Sequence, residues 1–197
     1  MKKSIAFFDF DGTITTKDTL IEIARFHKGT SGLYAGLFVL SPWLIAMKFK
    51  LVSNRLVKER FLTRFFKNTP VDEFQKICHR FVEQKITGLI RPGAKKKLNE
   101  YKESNIPVVI VSASPENWVG EWCKANGFTC IATVLEVKDG SITGKIKGEN
   151  CYGEEKIRRI EAQYHLPDYD EIFCYGDTKG DKPMLSLATS AYYKPFR

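Results

Sequence analysis

The sequence predicts an α/β fold: a doubly wound parallel sheet with a helical cap inserted after the first strand. Three observations lead there. Residues 4–8 (SIAFF) form a continuous apolar run, the pattern of a parallel strand covered on both faces. Residues 16–88 then carry helical signals with almost no strand signal. After Arg91-Pro92-Gly93, apolar strand-like runs alternate with helical segments, as a parallel α/β sheet requires.

The elements follow in order. Met1 to Phe8 briefly imitates a signal peptide, but Asp9 and Asp11 interrupt the apolar run too early for one, so it reads as a buried strand. Helices are expected over 19–27, 33–51, 54–67 and 71–87, with a helix boundary at Thr69-Pro70 and Val71-Asp72. A helix at 94–104 precedes the strongest buried strand, 106–111, and a further helix runs from about 115 to 126. Residues 129–137 and 141–147 read as a hairpin, because Lys138-Asp139-Gly140 places Asp-Gly between alternating apolar residues. A helix (153–164), a strand (171–175) and a short strand (190–193) complete the pattern. The domain organisation expected is a core of 1–15 and 89–197 with a cap of 16–88.

Composition narrows the function classes. The chain has 197 residues, which suits one domain with a modest insert. Its net charge is +8, and the charges are mixed rather than clustered. Lys95-Lys96-Lys97 reads as the solvated face of a helix. No zinc-finger spacing or nucleic-acid motif is present, so nucleic acid is not an expected partner. The five cysteines are odd in number and far apart, as in a reduced cytoplasmic chain. Residues 29–47 carry no charge, with Lys28 and Lys48 on either side, and their length falls in the range of a membrane span. Pro42 and three glycines in that stretch weaken the spanning reading.

Four stretches carry candidate chemistry. Asp9-Phe10-Asp11-Gly12-Thr13 sets two carboxylates at a strand end. About 4 Å apart, they would repel by roughly 4 kcal/mol at an effective dielectric of 20. A hard cation with oxygen ligands, most simply Mg²⁺, relieves that repulsion. One carboxylate then suits a phosphoryl-accepting nucleophile and the other an acid and base. Ser112, past the 106–111 strand, suits a phosphate group; Ser114 reads as the N-cap of the next helix. Lys156 offers a point charge to phosphate, although a lone lysine is more often a surface group. Asp177 and Asp181, after the 171–175 strand, would complete a metal cradle; taken alone they make an acidic turn. Asp9, Ser112 and Asp177 thus converge at the carboxyl ends of three strands, where such sheets bind ligands.

With these stretches in order, the chain resembles the haloacid dehalogenase superfamily and its phosphoserine-phosphatase-like branch. The resemblance implies a Rossmannoid core, with Asp9 as nucleophile and Asp11 as the acid that protonates the leaving group and then activates water. It also implies Mg²⁺ held by Asp9, the backbone carbonyl of Asp11 and Asp177, with Asp181 in support. Ser112 and Lys156 would hold the phosphate. Asp18-Thr19-Leu20 is similar to the branch as well, with Asp18 where a substrate-binding glutamate is usual. Two other departures are Ala113-Ser114 in place of two glycines and Gly180 in place of an asparagine. The chain is also similar to the type C phosphatidylglycerophosphatases, through Val111 to Pro115, Cys151 to Lys156 and the apolar Leu33–Met47 segment. That similarity implies a lipid phosphate substrate and peripheral contact at the inner face of the membrane, with outward-facing side chains among Leu33, Leu37, Phe38, Trp43 and Leu44. The alternatives are a phosphatase of a small soluble phosphomonoester, a phosphotransferase or mutase using the same intermediate, and an idle phosphate-binding module.

Overall fold

The computed structural model describes residues 2–197. Strand β1 (Ser4–Phe8) is followed by helices α1 (Thr19–Lys48), α2 (Asn54–Phe66) and α3 (Val71–Phe81), a wide turn and the short α4 (Thr87–Leu89). Helix α5 (Pro92–Glu103), β2 (Val108–Pro115), α6 (Glu116–Asn126) and β3 (Thr129–Thr133) come next. The hairpin β4 (Leu135–Lys138) and β5 (Ser141–Ile146) leads to α7 (Glu154–Glu161), β6 (Glu171–Gly176), α8 (Lys182–Leu185) and β7 (Ser190–Tyr193).

Five strands form one parallel sheet in the order β3-β2-β1-β6-β7. Strand alternation sends Ile5 and Phe7 to one face, where they join Val109, Val111, Cys174, Ile160 and Met184. Ala6 and Phe8 go to the other, with Ile110, Tyr175, Trp118 and Leu98. Both faces of β1 are therefore buried, which is why its sequence is apolar without alternation. Removing the fully buried Phe8 ring would cost about 3–5 kcal/mol.

The helical block leaves and rejoins the sheet at adjacent points. Thr15 bridges Ile90, Thr16 N–H donates to Leu89 O (2.8 Å), and Arg91 N–H donates to Ile14 O (2.8 Å). Arg91 Nε adds bonds to the carbonyls of Gly12 and Thr15. The hairpin props the block from the other side. Asn68 and Ile142 are linked backbone to backbone, and Gly144 lies so close to Thr63 that an added Cβ would meet its Cα at 2.4 Å.

Besides the joining of the expected 19–27 and 33–51 helices into α1, with non-helical Gly29 (φ 73°) inside it, three sequence expectations need correction. Residues 129–137 are not one strand. The chain leaves the parallel sheet after Thr133, and only β4, Leu135–Lys138, pairs antiparallel with β5. The buried Ile131, Ala132 and Thr133 belong to the large sheet, so the hairpin is shorter than the alternation suggests. Second, β2 runs on to Pro115 with a register shift after Ser112, so Ser112 lies inside the strand rather than past its end. Third, Ser114 does not cap α6. That helix starts at Glu116, with Pro115 at its N-cap and no side-chain cap bond, and the buried Ser114 hydroxyl faces Thr19 Oγ1 at 3.5 Å.

Candidate active site

Asp9 is the first residue beyond β1, at the strand's carboxyl end. The chain turns sharply there through Phe10–Ile14, with Gly12 at φ 82°. That turn needs glycine twice over: the φ is positive, and a Cβ would meet Asp177 Oδ2 at 2.6 Å. The close approach brings the β1 and β6 ends together, so Asp9, Asp177 and Asp181 each place a carboxylate oxygen within 4.8 Å of the others. All three residues are buried.

Lys156 comes from the first turn of α7 and reaches the same point. Its Nζ donates to Asp9 Oδ1 (2.6 Å), Asp181 Oδ1 (2.7 Å) and Val111 O (2.8 Å). It is 1% exposed, so the surface-lysine reading is excluded. Burial opposes its charge, but Asp9 and Asp181 outweigh burial and hold its pKa above the ordinary lysine value. Burial likewise raises Asp9, against the pull of Lys156 and with help from Asp181, to about 7. Asp181 ends below its ordinary value: burial raises it, and Lys156 more than offsets this. Asp181 also accepts from the Thr178 N–H (2.9 Å) and hydroxyl (2.7 Å), which fixes its loop. Asp177 is raised by burial, although it pairs with Arg197. Thr13 Oγ1 lies 3.0 Å from Asp9 Oδ2 and 3.3 Å from Asp177 Oδ1, between the two acids.

Asp11 faces elsewhere. Its Oδ1 accepts from the backbone N–H and the hydroxyl of Thr19, both at 2.6 Å. Trp118 Nε1 in turn donates to Thr19 Oγ1 (2.9 Å). The Asp11 carboxylate thus stands outside the Asp9, Asp177 and Asp181 group. Asp18 caps α1, with Oδ1 accepting from Leu20 N (2.9 Å) and Ile21 N (3.4 Å). Desolvation by its surroundings, then the Asp11 charge, raise Asp18 to about 6. Ser112 is fully buried and accepts from Ser114 N–H (3.0 Å), one residue along from the carbonyl that binds Lys156.

Sequence reasoning missed three contributors. Lys58 of α2 donates to Ala113 O (2.9 Å) and Asn150 Oδ1 (3.0 Å), tying the helical block to the strand that carries Ser112. Asn150 Oδ1 also accepts from Thr133 Oγ1. Nothing in sequence separates Lys58 from other lysines of an amphipathic helix. Thr13 and Thr19 stand inside the Asp9–Thr13 and Asp18–Leu20 stretches, where the sequence gives them no role of their own.

Three clustered carboxylates against the Lys156 ammonium and the Arg197 guanidinium still leave an excess of negative charge, and hard oxygen donors of this kind suit Mg²⁺. The donor set therefore fits the cation that the sequence resemblance implies.

Comparison with known proteins places the chain in a family. The haloacid dehalogenase-like hydrolase family model matches residues 6–186. Protein CicA of Caulobacter vibrioides is 33% identical over 96% of this chain and 85% of its own length. A phospho-aspartyl intermediate analogue of phosphoserine phosphatase is 28% identical, with a TM-score of 0.63 over 95% of this chain and 84% of that chain. A protein from Bordetella pertussis Tohama I shares the fold at a TM-score of 0.81 and 20% identity, over 96% and 88% of the two chains. The chain belongs to the haloacid dehalogenase-like hydrolase family. Within that family it is an enzyme, a phosphatase similar to the phosphoserine phosphatases.

Proposed function

We propose that this phosphatase is magnesium-dependent and cleaves a phosphomonoester through an aspartyl phosphate on Asp9. The observation that carries the reading is the convergence of Lys156 and two further buried acids on the Asp9 carboxylate. A phosphate ester brought there meets an oxygen nucleophile, Asp9, beside an ammonium that neutralises its charge. An Asp9 oxygen attacks phosphorus and the bond to the leaving alcohol oxygen breaks, while Asp11 gives that oxygen its proton. Asp11 then takes a proton from water, water attacks phosphorus, and the Asp9–phosphate bond breaks to release inorganic phosphate. Ser112 and Lys156 hold the phosphate oxygens throughout. Thr19 supports this division of labour by aiming Asp11 away from the acid cluster. Asp9, the Asp11 carbonyl and Asp177, with Asp181 in support, would hold Mg²⁺, which would supply neutralising charge to the phosphate and favour ionised Asp9.

Residues 1–15 and 89–197 act as the catalytic core, and 16–88 as its cap. The paired entry and exit at Thr15–Thr16 and Leu89–Arg91 support that division. The finer reading of the substrate is a lipid phosphate such as phosphatidylglycerophosphate, met at the cytoplasmic face of a membrane that the cap touches. Apolar side chains exposed along α1 support it. The second reading, a small soluble phosphomonoester, is favoured by the similarity to phosphoserine phosphatase. Hydrolysis of an aryl phosphate, phosphoserine and detergent-dispersed phosphatidylglycerophosphate, with EDTA and then Mg²⁺, tests the whole reading. Activity abolished by EDTA and restored by Mg²⁺ is expected. Full activity in verified metal-free buffer overturns the metal requirement, and no release of phosphate from any ester overturns the phosphatase assignment.

A further inference from the structure

The outer face of α1 is apolar where an exposed helix face is ordinarily polar. Tyr34 (62% exposed), Phe38 (81%), Ile45 (57%) and Phe49 (70%) recur at four- and seven-residue spacings, which places them in one stripe. Val39 widens the stripe, and Leu51 extends it. This differs from the sequence expectation: of Leu33, Leu37, Phe38, Trp43 and Leu44, only Phe38 is fully exposed. Leu33 is completely buried, and Leu37 and Trp43 pack on the core. An uncharged segment apolar on every side gives no periodicity from which to choose its outer face.

The inner face of the same helix is committed to α2. Leu33 and Leu40 are buried, and Gly36 lies so close to Phe65 that a Cβ would meet the ring at 2.2 Å. A helix held along that side cannot be surrounded by lipid without losing the packing, so the segment does not cross a bilayer in this fold. The fold nevertheless leaves one apolar face of this helix exposed at the protein surface, and such a face suits the membrane interface, where it can sit in the acyl boundary.

The charges around the stripe select the surface. No Asp or Glu occurs from Ile23 to Lys58, so the lysines at the ends of the stripe meet no acid within that stretch of sequence. Lys28, Lys48 and Lys50 are exposed at the two ends of the segment, and the Arg60 guanidinium lies 4.8 Å from the Trp43 ring centroid. A second copy of this chain would bring the same positive rim against itself, whereas anionic headgroups complement it.

We infer that the Tyr34, Phe38, Ile45 and Phe49 face of α1 docks the protein peripherally on an anionic bilayer surface, without spanning it. The inference rests on the membrane-contact part of the proposed function and not on the phosphoryl-transfer chemistry. Co-sedimentation with vesicles of phosphatidylglycerol mixed with phosphatidylcholine tests it, with pure phosphatidylcholine vesicles and raised salt as comparisons. The full chain is expected to bind the anionic vesicles, and to bind less as salt screens the rim. Phe38→Asp with Phe49→Asp should weaken binding by about tenfold or more, because both side chains leave the acyl boundary. Aryl phosphate hydrolysis should stay unchanged in that variant, since neither residue touches the site. Phe38→Trp should show a blue-shifted emission on anionic vesicles and not in buffer. Equal binding to neutral and anionic vesicles, no binding to either, or a solution dimer that the double variant dissolves would each overturn the inference. A wild-type protein that binds anionic vesicles as expected but hydrolyses no aryl phosphate would overturn the chemistry alone and leave the docking face supported.

Discussion

Lys156 bridges Asp9 and Asp181, its ammonium 2.6 Å from one carboxylate and 2.7 Å from the other. The bridge joins the ends of three segments distant in sequence: β1, α7 and the loop after β6. It also places a fixed positive charge beside Asp9, the proposed nucleophile, before any substrate arrives. Electrostatic stabilisation of this kind is strongest when the charge is buried and already oriented.

Removing that charge should therefore be felt twice. Lys156→Met leaves Asp9 and Asp181 buried without their shared cation, and deleting one partner of a buried pair costs about 3–5 kcal/mol. Urea denaturation without metal should show this loss, and added Mg²⁺ should recover part of it. Turnover should fall at least about a hundredfold, in line with the loss of one buried stabilising group. Unchanged metal-free stability would contradict the role given to Lys156.

Thr19 holds Asp11 through its hydroxyl as well as its backbone N–H. Thr19→Val keeps the N–H and loses the hydroxyl, so Asp11 is aimed less firmly. The expected result is a fall in kcat of about tenfold, worth ~1.4 kcal/mol, with KM little changed. Thr19→Ser should restore most of the rate. An effect on KM alone would assign Thr19 to substrate binding instead.

His79 of α3 hydrogen-bonds Glu121 of α6 and lies 3.3 Å from Glu83. The bond to Glu121, then the Glu83 charge, raise the His79 pKa above its ordinary value. A raised folded value means the pair stabilises fully below the unfolded pKa, near 6.5. That contribution is lost as pH rises through the folded value. His79→Gln should therefore lower the melting temperature clearly at pH 6 and hardly at all at pH 9. An equal shift at both values would show that the charge on His79 does not matter.

Much of this arrangement was readable from sequence, for identifiable reasons. Apolar strands that end in Asp9 and near Asp177 declare both the sheet and the crevice at its edge, because a parallel strand buried on both faces needs no alternation. Lys156 gained its meaning only from its companions, and burial then separated it from a surface lysine. Lys58 stayed hidden because its partners are a backbone carbonyl and Asn150, far away in sequence. The hairpin was overextended because β3 and β4 are separated by Val134 alone. The outward face of α1 was unreadable because its buried and exposed sides are equally apolar.

The most direct test of the central claim is to catch phosphate on Asp9. The wild-type enzyme is mixed with a radiolabelled phosphomonoester and Mg²⁺, quenched in acid within one turnover, and its peptides are mapped by mass spectrometry. The account predicts acid-stable label on the peptide that contains Asp9, none in Asp9→Asn, and, with an aryl phosphate whose leaving group needs no proton, accumulation of label in Asp11→Asn, which lacks the base that activates water. Turnover in the wild type with no covalent label at any time, or label on another residue while Asp9→Asn stays active, would contradict it.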